Sequence, residues 1–508
     1  MKAFLMYPDD DFALDGELPP NDAALTQDLE LTTLWSAMAA GDSFLFEVAK
    51  RAMLSSLHSP DGIVFRQQVL SDCIENAAVV RDLYALSADA LAAERSVWGS
   101  LLSDRPTSML GTSVQKMELL VGCLRRLREI AGQHAASFHS PGFTRFFATL
   151  TDELDAAYFE LVESQLEALR FTSGMLMSAQ LTAGNKGIAY TPRWPREQPL
   201  LKRVFDRSGF SFTIPERDEN GFRALGELED QAVRVLATTL AQSVDHVKSF
   251  FQMLRVEIGF YVACLNLRDL LAAKGEPICL AEARPGTEEA FSAHGLYDVT
   301  LSLASRERVV GNYVAADGKK LVMITGANQG GKSTFLRSVG VAQLMMQSGM
   351  FTPAQSLSLS VCDGLFTHFK REEDAATESG KLDEELQRMS EIADRICPGS
   401  VLLCNESFAA TNEWEGSEIA RQVLRALLED GIRVLYVTHM FDLADGLYRQ
   451  RLGTALFLRA ERGGEGARPF KLTVGEPLST SYGEDSYRRV FGKSISTAAA
   501  GSRDPGRS

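Results

Sequence analysis

Nine consecutive residues, Gly326-Ala-Asn-Gln-Gly330-Gly331-Lys332-Ser333-Thr334, carry the clearest chemistry in this 508-residue chain. They fit the spacing G-x-x-x-x-G-K-[ST], in which glycines let the backbone close around the phosphates of a nucleotide. Gly326, Asn328, Gly330, Gly331 and Thr334 then belong to the phosphate wrap. Lys332 reaches the outer phosphates, and Ser333 offers its hydroxyl to Mg²⁺. The flanks suit the motif: Leu321-Val-Met-Ile-Thr325 predicts a short buried strand, and Phe335 to Gly349 predicts a helix. Unpaired N–H groups at the start of that helix favour bound negative charge.

Two later segments add groups that could act on a phosphate. Val401-Leu-Leu-Cys-Asn405-Glu406 reads as an apolar strand with polar residues at its carboxyl end, where ligands bind in such sheets. Glu406 is placed to orient or deprotonate an attacking water. Asn405 stands where an acidic residue ordinarily holds Mg²⁺. Its amide can accept a hydrogen bond from a metal-bound water but brings no charge, so weaker Mg²⁺ binding and slow hydrolysis are expected. Val437-Thr438-His439 ends the next strand. A lone histidine there can be incidental; one strand after Asn405-Glu406, it is expected to sense the outermost phosphate.

These residues need a scaffold, and composition bounds it. The length allows two to four domains with substantial cores, and 45% hydrophobic with 23% charged residues is ordinary for a soluble globular protein. No uninterrupted apolar run predicts a membrane span. The first residues turn acidic too soon for a secretory signal. Seven scattered cysteines without a C-x-x-C pair argue for a reducing, cytoplasmic location. The net charge of −15 does not suggest nucleic acid, although a local basic patch is what meets phosphate.

The predicted order is an all-α core and lever region followed by an α/β domain around the phosphate loop. Residues 1–112 read as the first part of a helical core, with turns at Gly41-Asp42 and His58-Ser-Pro-Asp-Gly62. Residues 113–284 read as lever helices with a clamp-like tip near 184–225. Within them Val233, Leu236, Leu240, Val244, Val247, Phe251, Leu254 and Ile258 form one apolar stripe at helical spacing. A helix with one such seam is expected to pack antiparallel on the helical run 113–183, like a lever arm, or to join a compact helical bundle. Residues 285–494 alternate strands and helices, as in a mainly parallel sheet with flanking helices, and 495–508 form a polar tail predicted to be disordered.

In combination these segments resemble the ATPase domain of the MutS mismatch-repair family, within the ABC-type ATPases. Gly326–Thr334 is similar to the family's GPNMGGKST, Phe351-Thr-Pro-Ala354 to its FVPA, and Leu365-Phe-Thr-His368 to its IFTR. Ala410-Thr411-Asn-Glu-Trp-Glu415-Gly416 resembles GTSTxDG, a loop near the dimer interface. Thr438–Leu443 resembles THxxEL, and Leu472–Gly483 the closing YxLxxGxxxxSYG. The resemblance implies ATP with Mg²⁺ as ligands, Thr411 near the nucleotide, and a homodimer. It implies a role for Ser379 on the phosphate of the opposite subunit, where Ser379 otherwise reads as a helix N-cap. Core-like sequence begins by about residue 25, so the family's mismatch-reading and connector domains are expected to be missing, and no nuclease domain is expected.

The resemblance also places a DNA clamp between the lever helices. Residues 186–207 hold Lys186, Arg193, Arg196, Lys202, Arg203 and Arg207 against Glu197 and Asp206, with Tyr190 and Trp194 interleaved. Such a segment suits phosphates and stacked bases without sequence readout; a solvated loop packed on its stem fits equally. Two functions follow: a MutS-like ATPase that clamps duplex or branched DNA, with no membrane partner, or an ATP-gated, weakly hydrolysing scaffold for a protein partner.

Overall fold

The computed structural model describes residues 1–97, 105–172, 174–184, 186–193, 213–327, 329–371, 380–461 and 468–478. It divides into two compact units: Met1–Ala13 with Ser71–Val262, and Leu14–Leu70 with Ala263–Ser508. The expected tail and the Ser-Tyr-Gly end of the closing motif lie outside the described residues.

The first unit is built on helices Ala77–Ser96, Pro106–His134, Pro141–Glu153 and Ala156–Leu169, and on most of helix Glu219–Ala273. Local signals start several of them. Ser140 accepts the N–H of Phe143 ahead of Pro141, and Asp155 accepts the N–H of Tyr158, each satisfying a donor the helix leaves open. The 55-residue helix is roughly 80 Å long at 1.5 Å per residue. Its predicted stripe is turned inward: Val233, Phe251, Leu254 and Ile258 are fully buried, while Val235 on the other face is 73% exposed. By length and composition this helix could cross a membrane, but 72% of its most apolar window is buried inside the protein, as in a core helix.

Two expectations for this unit are corrected. The helical run does not reach residue 183: Phe171 and Gly174 both take positive φ, and the chain leaves the last helix at Leu169 for a strand, Met177–Leu181. That strand pairs antiparallel with Gly187–Pro192, so the unit is not all-α. The antiparallel expectation holds only for the last helix of the 113–183 run, since Arg125–Glu163 and Glu118–Arg170 set Ala156–Leu169 against the direction of Pro106–His134, and the long helix runs parallel to the latter. Asp230 accepts from Arg105 and Thr107, and Lys248 meets Lys116 on the shared carboxylate of Glu94, so both chains advance the same way. An apolar stripe specifies a buried face, not the direction of its partner.

The second unit holds a six-stranded sheet in the order Leu365–Phe369, Val401–Asn405, Arg433–Val437, Leu321–Gly326, Ala455–Ala460, Leu472–Val474. The first five are parallel and the last antiparallel. Leu321–Ile324 and Val401–Cys404 are buried throughout, as expected for strands covered on both faces. A four-stranded mixed sheet of Glu282–Arg284, Ser356–Ser360, Phe291–Leu296 and Asn312–Ala315 lies in the same unit.

Leu14–Leu70, read from sequence with the helical core, belongs to this sheet-bearing unit. Asn21 donates to the carbonyl of Leu365, Leu57 exchanges hydrogen bonds with Gln347, and Arg66 donates to the carbonyl of Ser348. A Cβ at Gly340 would meet the side chain of Leu29, which follows helix Asp22–Asp28, at 2.8 Å, so the glycine admits Leu29 against the phosphate-loop helix.

Candidate nucleotide site

The phosphate loop connects strand Leu321–Gly326 to helix Lys332–Gln347. Gly326 (φ 108°) and Gly331 (φ 87°) occupy conformations that glycine alone takes freely. A Cβ at Gly330 would lie 2.7 Å from the Ala460 side chain and 2.9 Å from the Ala327 carbonyl. Asn328 lies outside the described residues. Lys332 is 5% exposed, and its ammonium donates to the carbonyls of Gly326 and Ala327 at 3.0 Å each. Burial pushes its pKa down to about 8, against the opposing charge of Glu406.

Parallel pairing brings the remaining groups to the same end of the sheet. Arg433–Val437 lies between Val401–Asn405 and Leu321–Gly326, so Asn405, Glu406 and His439 emerge beside the loop. Ser333 Oγ donates to Asn405 Oδ1 at 2.8 Å. His439 Nε2 donates to Glu406 Oε1 at 2.8 Å, so the nitrogen expected to sense phosphate is directed at the carboxylate. That hydrogen bond holds the Glu406 carboxyl below its ordinary range against burial, with help from Lys332 and Lys370. Thr438 fixes the turn: its N–H donates to Ile324 O, and its Oγ1 accepts from Met440 N at 2.9 Å.

Among the described residues no cluster of three or more His, Cys, Asp or Glu could hold a metal ion. The Ser333 hydroxyl and Asn405 amide oxygen are nonetheless hard, neutral donors at one place. They suit an Mg²⁺ that keeps most of its ligands as water and phosphate oxygens.

A cavity of about 370 Å³ opens beside the loop, lined among others by Tyr297, Val309, Gln329, Gly331, Thr334 and Phe470. An apolar wall with a few polar groups suits a flat heterocycle, and sequence reasoning did not find it. Its lining joins the phosphate loop to residues near 296–312 and to Phe470, which carry no motif of their own.

Thr411 bonds to Glu415 Oε2 at 2.6 Å, in the turn before helix Glu413–Glu429. Across the same turn Glu413 accepts the N–H groups of Phe441 and Asp442, tying this loop to the segment after His439. Ser379 lies outside the described residues. Of the basic tip, Lys186 and Arg193 are exposed on the hairpin Met177–Pro192, with Arg193 Nε donating to Ser178 at 2.9 Å. Trp194, Arg196, Lys202, Arg203 and Arg207 lie outside the described residues.

Sequence reasoning also missed a buried set behind Glu406: His368, Ser407 and Tyr436, each at most 1% exposed, and Glu385. Ser407 follows Glu406 directly, but nothing in the order of residues brings the others to it.

Comparison with known proteins matches two parts of the chain. Residues 58–274 match the family model described as the MutS2 N-terminal domain, and residues 322–476 match MutS domain V. MutS protein homolog 4 of Mus musculus is 23% identical over 313 residues, covering 60% of this chain and 32% of the relative. DNA mismatch repair protein MutS of Thermotoga sp. (strain RQ2) is 35% identical over 144 residues, covering 27% of this chain and 18% of the relative. The same-named protein of Chloroflexus aurantiacus (strain ATCC 29366 / DSM 635 / J-10-fl) is 30% identical over 201 residues, covering 36% and 20%. The chain therefore spans about a third or less of the length of these relatives. With both its helical and its sheet-bearing parts matching MutS domains in order, the chain belongs to the MutS family.

Proposed function

We propose that this chain is an ATPase that couples ATP binding and hydrolysis to engagement of DNA, as a cytoplasmic homodimer in mismatch repair or related DNA processing. The observation that carries the reading is the convergence at one sheet end of Lys332, the Ser333–Asn405 pair and the Glu406–His439 pair. Lys332 binds the outer phosphates once they replace the two loop carbonyls as its partners. Glu406, kept ionised by His439, accepts a proton from the attacking water. Ser333 and Asn405 would hold a hydrated Mg²⁺, and the ion would neutralise phosphate charge. The cavity between Tyr297 and Phe470 receives the base.

DNA as partner is supported by the names of the bacterial relatives and by exposed Lys186 and Arg193 on the hairpin. Arg196, Lys202, Arg203 and Arg207 extend the same basic segment in sequence. Phosphate contacts of this kind give affinity that falls with salt and carries little sequence preference.

Mg²⁺-dependent ATP hydrolysis by wild type, Lys332→Ala and Glu406→Gln, with and without duplex and branched DNA, tests the reading. Turnover lost in both variants and altered by DNA is the expected result. Wild-type turnover no higher than Glu406→Gln, with ATP still bound, overturns it. The neutral Asn405 favours the second reading in that event, an ATP-gated scaffold for a protein partner.

A further inference from the structure

Glu406 and Phe408 both sit in the left-handed region, at φ 55° and 62°. Neither is glycine, and such a conformation persists only where its surroundings hold it. What holds them is buried and polar. Glu406 N donates to Val437 O at 2.9 Å, and Tyr436 Oη donates to Ser407 O at 2.7 Å. Ser407 Oγ lies 2.6 Å from His368 Nδ1 and 2.9 Å from His368 O. The His368 ring stacks on Phe408 with centroids 5.6 Å apart.

The other imidazole nitrogen leads away from the site. His368 Nε2 donates to the backbone carbonyl of Glu385 at 3.0 Å, in the helix Lys381–Ala393. Arg388 of that helix donates to the carbonyl of Phe369, the residue after His368, at 3.0 Å. The Glu385 carboxyl faces the backbone N–H groups of Phe408 and Ala410, and burial pushes its pKa up.

Proton positions follow from these partners. A carbonyl can only accept, so Nε2 carries a hydrogen. Burial, then Arg388 and Arg371, lowers the His368 pKa to about 4, so the ring is neutral near pH 7. Its Nδ1 is then an acceptor, and the single Ser407 hydroxyl hydrogen is shared between Nδ1 and the His368 carbonyl oxygen.

We propose that His368 and Ser407 are positioning residues for water activation by Glu406, and that they tie Glu406 to helix Lys381–Ala393. The proposal rests on the ATPase reading above. Ser407 pins the backbone between the two left-handed residues, so the Glu406 carboxylate keeps its aim at His439. Displacement of the helix reaches that backbone through the Glu385 carbonyl, the imidazole and the Ser407 hydroxyl.

Three mild variants separate positioning from folding. Ser407→Ala removes the hydroxyl, His368→Gln can keep a donor toward Glu385 while removing the acceptor for Ser407, and Tyr436→Phe removes one hydrogen bond to Ser407 O. Steady-state hydrolysis, ATP affinity and the melting temperature are measured for each. In Ser407→Ala and His368→Gln, kcat falls roughly 10- to 100-fold while ATP affinity stays within about twofold, the signature of a misplaced catalytic group. Tyr436→Phe lowers kcat in the same direction with a smaller effect. A lower melting temperature with unchanged kcat overturns the proposal and leaves the ATPase reading standing. Wild-type turnover no higher than that of Glu406→Gln overturns the ATPase reading itself, and this proposal with it.

Discussion

Ser333 Oγ donates to Asn405 Oδ1 across 2.8 Å, joining the first turn of the phosphate-loop helix to the end of the strand two places away in the sheet. The amide oxygen thus stands where a carboxylate would act on the metal's water shell, with a dipole in place of a charge. Charge therefore separates this site from a strongly Mg²⁺-binding one.

Asn405→Asp is the direct test. The two side chains have the same shape, and the Ser333 hydroxyl can donate to either. Hydrogen bonds to a full charge exceed neutral ones by about 1–1.5 kcal/mol, so the Mg²⁺ concentration for half-maximal turnover is expected to drop about tenfold. A Mg²⁺ titration of hydrolysis reads this out. An unmoved curve would mean that Asn405 does not govern metal affinity.

Lys332 predicts the alkaline limb of nucleotide binding. Its pKa is lowered to about 8 by burial, and phosphate binding needs the ammonium. The charge is present below that value and lost above it, so ATP affinity is expected to hold from pH 6.5 to 7.5 and to weaken above about 8, approaching tenfold per pH unit. Lys332→Ala should bind weakly throughout and lose the slope. The sign for stability is opposite: the depressed pKa opposes folding at neutral pH, and this penalty fades as pH rises from about 8 toward the ordinary 10.5. Equilibrium binding across that range, with both proteins, checks the first claim.

His439 predicts the acid limb. Its hydrogen bond holds the Glu406 carboxyl below the ordinary 4.5, so Glu406 remains a base at pH values where an unassisted carboxylate is partly protonated. His439→Ala is expected to raise that limb and to lower kcat roughly 10- to 100-fold, the scale of a mispositioned general base. ATP affinity should change far less. A kcat profile identical to wild type would remove His439 from the catalytic unit.

Much of this site is legible in the sequence because its chemistry is local. The loop Gly326–Thr334 needs particular residue types at fixed spacing, and Asn405-Glu406 and Thr438-His439 each close a short apolar run that reads as a buried strand. Parallel pairing of those strands then brings all three together. What stayed hidden depends on partners distant along the chain. His368 is read from sequence as part of a motif similar to IFTR, but its bonds to Ser407 and Glu385 span 39 and 17 residues. The cavity near Phe470 has the same character, as does the attachment of Leu57 to Gln347 across 290 residues. Helical periodicity located the buried face of Glu219–Ala273 but does not fix its direction, which Asp230 and Lys248 set parallel to Pro106–His134 through their charged partners.

Those partners give the last prediction. Glu94 is 3% exposed and meets Lys116 at 2.5 Å and Lys248 at 3.1 Å, linking helices Ala77–Ser96 and Pro106–His134 to the long helix. Burial alone would raise its pKa; hydrogen bonds from the two lysines overcome this and leave it lowered. A depressed carboxylate stabilises the fold above its unfolded value, near 4.5, and loses that contribution as pH falls through the folded value. Glu94→Gln keeps the shape and removes the charge. Both lysines are partly exposed and can turn to water, so the expected loss is about 1–3 kcal/mol, below that for breaking a fully buried pair. The variant should melt several degrees below wild type at pH 7. The gap should narrow as pH falls below about 4.5, because the wild type then loses the same charge. Equal melting temperatures at pH 7 would mean that the three side chains contribute packing alone. A gap that persists unchanged into acid would assign the loss to shape and not to ionisation.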